Sequence, residues 1–131
     1  MSGQRGFGLV EALVALLVLS LGLVGMAALQ LKALQGARDG YRQALTSVAA
    51  LDAQERLWAA YRATPNCAEM AVARVERDWR RHWFDERKAL AEEATGAIER
   101  QGCTFSITLT RAAFAPATYR LELPARPLEA P

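Results

Sequence analysis

Residues 7–31 read FGLVEALVALLVLSLGLVGMAALQL, an apolar run interrupted by a single charge at Glu11. At about 1.5 Å of rise per residue, a helix of this length exceeds a hydrocarbon core of about 30 Å. Ahead of it stands a short polar leader, MSGQRG, with one Arg and a closing Gly6. A lone carboxylate inside a membrane-length helix costs about 2.5–3.5 kcal/mol on insertion scales, so it needs a partner and marks function. A cleaved secretory signal would carry an apolar core of about 7–15 residues with no acid inside it, which this run does not fit. A plain membrane anchor fits the length and leaves Glu11 unexplained.

The rest of the chain bounds what can follow the run. A sequence of 131 residues leaves room for one small domain beside a long helix. The 52% hydrophobic share is uneven, because much of it sits in residues 7–31, and a net charge of +2 predicts no polyanion partner. Two Cys, Cys67 and Cys103, fall in the polar C-terminal part. Together with the one His they cannot complete a four-ligand zinc site, so no metal or other cofactor is expected. In an exported domain the pair reads most simply as one disulfide, closing a loop of about 35 residues for roughly 3–4 kcal/mol. Two free buried thiols are the alternative.

Periodicity divides the chain further. Residues 7–62 read as one long helix of two characters, apolar on all faces at first and amphipathic after residue 31. In the second half Leu34, Tyr41, Leu45, Val48, Leu51, Trp58 and Tyr61 recur at helical steps and predict a buried stripe. Gly22, Gly25, Gly36 and Gly40 interrupt this helix at about 1 kcal/mol each relative to Ala. Thr64-Pro65-Asn66 ends it. A second helix is expected from Ala68 to about Ala94, with Trp79 and Trp83 on one face. After Thr95-Gly96 the period changes to two. Cys103, Phe105, Ile107 and Leu109 alternate with Thr104, Ser106, Thr108 and Thr110 in a half-buried strand. Tyr119, Leu121 and Leu123 mark another strand, and Ala97–Arg100 a third that turns at Gln101-Gly102. The Pro-rich end, residues 124–131, reads as a flexible tail.

Gly-Phe followed by an acid at the fifth apolar position is the processing signature of type IV prepilins, and the chain resembles that superfamily. Within it, LSLGLVGMAALQLKALQGARDGYRQALTSVAALDAQERLWA looks like the PilV-type minor pilins, the type IV pilus modification proteins. The likeness covers residues 1–60 well and residues 61–123 in outline. It implies an α+β, type IV pilin-like fold: a leader at 1–6, a membrane-spanning half-helix at 7–31, an amphipathic half at 32–62 and a small periplasmic domain at 63–123. By position, Gly6 would precede the bond cut by a prepilin peptidase, and Phe7 would become the N-methylated terminus. Glu11 would pair with a neighbour's terminal ammonium during assembly. The expected partners are other minor and major pilins, the inner membrane and the pilus assembly platform. The absence of Pro from the first helix, where many major pilins carry one, argues for a minor component. Gly22 and Gly25 would serve either close helix packing or local extension during assembly.

Basic residues near the ends of the run would place the C-terminal part inside the cell, with Lys32, Arg38 and Arg42 against Arg5. Whole domains translocate despite such charge, and prepilin-like chains keep the leader inside, so a periplasmic C-terminal domain is the expectation. The resemblance thus points to a minor pilin supporting pilus biogenesis, twitching motility or adhesion, with a type II secretion pseudopilin as the rival. A DNA-uptake pilin is the rival from another class. RVERDWRRHWFDERK offers Arg74, Arg77, Arg80, Arg81, Arg87 and Lys88 around two Trp. Glu76, Asp78, Asp85 and Glu86 are interleaved, however, and Glu76 and Arg80 stand at ion-pair spacing. A solvated helix face accounts better for this run, and no nucleic acid is expected. His82 has no nucleophile placed near it by any motif, so it nominates no general base. No enzyme activity is expected.

Overall fold

The computed structural model describes residues 8–91 and 94–125. Gly6, Phe7 and the rest of the leader lie outside the described residues, as do positions 126–131 of the expected tail. The elements run α1 (Leu9–Ala63), α2 (Val72–Trp83), β1 (Ala94–Gln101), β2 (Thr104–Arg111) and β3 (Ala117–Glu122). They form an α+β, pilin-like arrangement: a long apolar N-terminal helix, a second helix and a three-stranded antiparallel sheet of order β1-β2-β3. The chain divides into two compact units, Met1–Tyr41 and Arg42–Pro131.

The described part of the first unit is helical from Leu9 onward and exposed along its whole length. Its most apolar 18-residue window has a mean hydropathy of 2.6 and no intramolecular cover. An α-helix satisfies its own backbone hydrogen bonds, so such a segment suits a hydrocarbon environment. The helix passes through Gly22, Gly25 and Gly36 without interruption.

In the second unit the residues of α1 from Arg42 onward offer a face of small side chains. Ala49, Ala50 and Ala53 are buried, together with Thr46, Leu57 and Tyr61. This corrects the expected stripe. Leu45, Trp58 and Tyr61 do meet the core, whereas Leu34, Tyr41, Val48 and Leu51 are exposed. The reason is steric: small residues let a large aromatic come close. The Trp79 indole is fully buried and its Nε1–H donates to the Ala49 carbonyl at 2.8 Å. A Leu in place of Ala49 would push that ring away.

Helix α2 is shorter than expected, ending at Trp83 instead of continuing to about Ala94. The segment DERKALAEEA favours helix locally, but Phe84 and Leu90 must both reach the core. Phe84 turns back to set its ring edge-on to Trp79 at 5.2 Å. Arg87 takes a left-handed backbone (φ 69°), and the Leu90 N–H donates to the Trp83 carbonyl at 3.2 Å. Burial overrides propensity here.

Strand β1 begins at Ala94, earlier than expected, and takes in Thr95-Gly96. Gly96 lies under the Trp79 and Phe84 rings, where a Cβ would overlap Trp79 Cη2 and fall 2.6 Å from Cζ3 and 2.9 Å from Phe84 Cε2. Gln101 pairs with Thr104, so the hairpin turn consists of Gly102 and Cys103, with Gly102 at φ 62°. Cys103 is therefore a turn residue and not the first residue of the strand. Along β2 the expected alternation holds, with Phe105, Ile107 and Leu109 buried and Thr104, Ser106 and Thr108 half-buried on the other face.

Candidate functional site

Glu11 sits in the first turn of α1. Its N–H donates to the Gly8 carbonyl at 2.9 Å and that of Ala12 to the same oxygen at 3.3 Å, so the helix is wound from its first residues. The first turn of a helix carries N–H groups without intrahelical partners and the positive end of the macrodipole. A carboxylate there is favoured by about 0.3–1 kcal/mol at an exposed site. The Glu11 side chain is exposed, with unbroken apolar helix on its C-terminal side. Geometry thus leaves this acid able to accept a cation from outside the chain. Gly6 and Phe7, the other residues of the expected processing site, lie outside the described residues.

Cys67 and Cys103 are joined in a disulfide, with Cα atoms 5.4 Å apart across 36 residues. The bond ties the segment after α1 to the β1–β2 turn. Other contacts hold the same place. The Arg100 Nη1 donates to the carbonyls of Cys67 at 2.7 Å and Ala68 at 3.0 Å. Asn66 and Glu69 exchange two hydrogen bonds, Asn66 Nδ2–H to Glu69 Oε1 at 3.0 Å and Glu69 N–H to Asn66 Oδ1 at 2.9 Å. The Leu123 N–H reaches the Cys103 carbonyl at 2.9 Å, and the Tyr61 hydroxyl donates to the Pro124 carbonyl at 2.5 Å. Part of the expected tail is thus built into the fold.

The charged run on and after α2 is mixed in sign and largely solvated. Glu76 and Arg80 do pair, at 3.6 Å. His82 is exposed, with its ring edge-on to Trp83 at 5.4 Å. Arg56, Arg81 and Lys88 line a shallow groove with Asp78, Asp85 and Glu86, so three cations and three carboxylates share it.

Two roles escaped the sequence. Glu76 also accepts the Ile98 N–H at 2.9 Å, capping the outer edge of β1 from α2. Asp52 takes both the Arg56 Nε–H and the Trp83 Nε1–H on one oxygen, each at 2.8 Å. The spacing of Arg56 from Asp52 was visible beforehand, whereas a partner 31 residues away is set by tertiary packing.

The family model for the prokaryotic N-terminal methylation motif matches residues 1–27. Searches of curated proteins and of solved structures give no match to the chain. The matched segment spans the leader, Glu11 and most of the apolar run, and it implies processing by a prepilin peptidase and assembly with other pilins. Motif, apolar helix and small disulfide-bonded α+β unit together support a protein of the type IV pilin or pseudopilin type.

Proposed function

We propose that the chain is a PilV-type minor pilin that joins or primes a type IV pilus, and so supports pilus biogenesis, twitching motility or adhesion. The observation that carries this reading is the methylation motif ending in a helix whose only early charge is Glu11 in the first turn. A prepilin peptidase would cut after Gly6, and Phe7 would carry the methylated α-amino group. That ammonium and the Glu11 carboxylate are each costly in an apolar layer when unpaired. A contact between the ammonium of one subunit and Glu11 of another offsets both penalties. The role is structural and not enzymatic, with the anchor in the inner membrane and the Arg42–Pro131 unit in the periplasm.

Mass spectrometry of membrane-extracted protein tests the processing directly. N-methylated Phe7 at the terminus is the expected result, and a mature protein beginning at Met1 or Ser2 overturns the reading. The methylation motif is common to pilins and to the pseudopilins of type II secretion, which keeps the latter as the second reading. A deletion strain separates the two. Loss of surface pili and twitching supports the minor pilin, and loss of exoprotein secretion with normal pili supports the pseudopilin.

A further inference from the structure

The connection from β2 to β3 is unusual for a surface loop. Its tip, Ala112, Ala113, Phe114, Ala115 and Pro116, is wholly apolar and every residue in it is exposed. Surface connections are ordinarily polar, and a run of exposed apolar residues calls for a functional reason. The tip is also held in shape. The Phe114 N–H donates to the Arg111 carbonyl at 3.2 Å, and Ala113 has a left-handed backbone at φ 64°. Phe114 remains 54% exposed while its ring covers the Arg111 guanidinium at 3.8 Å. Beneath that ring Arg111 Nη1 is shut off from solvent and has no hydrogen-bond partner among the described residues. A ring that moved outward would free this cation for an acceptor.

The same unit carries a second surface with the complementary chemistry. On α1, Val48 and Leu51 are 49% and 59% exposed, and Glu55 completes their stripe at helical spacing. Glu55 is exposed and has no hydrogen bond or ion pair among the described residues, whereas nearby Asp52 is engaged by Arg56 and Trp83. One surface therefore offers an aromatic anchor beside a cation, and the other an apolar seat beside a free carboxylate.

We propose that the β2–β3 tip docks on the α1 face of a second copy of this chain, seating Phe114 on Val48 and Leu51 and pairing Arg111 with Glu55. Tip and seat are different patches, so the contact is head-to-tail and leaves one of each unused for a further copy. Five small or apolar residues against three bury far less than the roughly 800 Å² per partner of a stable soluble complex. The contact therefore operates where copies are held close together, as in a membrane. It rests on surfaces of the Arg42–Pro131 unit alone and not on the pilin reading, so unprocessed and processed chains should behave alike.

The test replaces Phe114 by a photoreactive phenylalanine analogue in the full-length chain. This chain is mixed in detergent micelles and in vesicles with isotope-labelled wild type. Irradiation should yield a dimer whose labelled tryptic peptide spans residues 43–56, the stretch that holds Val48, Leu51 and Glu55. Leu51→Glu in the labelled chain, checked for an unchanged melting curve, should lower that yield at least about fivefold. Arg111→Glu in the photoreactive chain should lower it too, and Glu55→Arg in the labelled partner should restore it. Adducts only to lipid, only within one chain or to peptides elsewhere overturn the proposal, as does an undiminished yield with Leu51→Glu.

Discussion

At the scale of single residues, the tightest constraint in the molecule is the hydrogen at Gly96 that stands where other residues carry a side chain. Gly96→Ala would drive a methyl group into the Trp79 and Phe84 rings, and the Trp79 ring is fully buried and bonded to Ala49, which opposes its retreat. We expect a loss of about 1–3 kcal/mol, the range for overpacking a filled core. Thermal unfolding of the full chain followed by near-UV circular dichroism would show it as a lower midpoint. An unchanged midpoint would mean that the indole can shift freely. Sequence alone treats a glycine at this position as a place where the pattern breaks. Its necessity comes from an aromatic ring on another element, and so it was not legible. The alternation through Phe105, Ile107 and Leu109 was legible, because a strand with one buried face writes that face into every second residue.

Among elements, α1 shows where pattern reading goes astray. Large residues at helical spacing suggest a buried stripe, yet beyond Tyr41 three of the six buried residues are alanines and one is a threonine. Size alone does not mark burial on this helix, because close approach of Trp79 selects small residues. Two substitutions distinguish the faces. Ala53→Leu should destabilise by about 1–3 kcal/mol through overpacking, while Leu51→Ala should change stability by less than about 0.5 kcal/mol. Denaturant melts of both variants would settle the comparison, and equal effects would contradict the burial described above. The disulfide acts between elements as well. Cys103→Ser opens a 36-residue separation, and chain entropy puts the loss at roughly 3–4 kcal/mol. We expect a lower midpoint and faster proteolysis in the segment around Cys67. The pairing was legible as the simpler of two readings, from two Cys in a chain of this class. The early end of α2 was not, because local helix propensity carries no record of where Phe84 and Leu90 must go.

For the whole molecule, the two units carry different chemistry: a largely apolar helix with Glu11 in its first turn, and a small folded unit bearing one disulfide. Glu11→Leu tests the first without touching the second. Removing the carboxylate should ease membrane insertion by about 2.5–3.5 kcal/mol and leave the melting of the folded unit unchanged. Under the proposed function, co-purification with other pilins should nevertheless fall, because Glu11 is there the acceptor for a neighbour's ammonium. A Leu variant that complements a deletion strain like wild type would remove Glu11 from assembly. The methylation motif and the apolar helix after it were legible, since their signals are linear in the sequence. The folded unit was legible in its element types and less so in its contacts, which join residues far apart in sequence.

One of those contacts sets a clock on synthesis. Tyr61 near the end of α1 closes on the Pro124 carbonyl, 63 residues later, and Leu123 is buried beside that clasp. At about 5–20 residues per second of translation, the gap takes roughly 3–13 seconds to cross. Through that interval the Tyr61 hydroxyl waits for an acceptor that has not yet been made. A chain cut short before residue 123 would lack both the buried Leu123 side chain and the acceptor for Tyr61. The clasp between Tyr61 and Pro124 can therefore close only after the last described strand has been made.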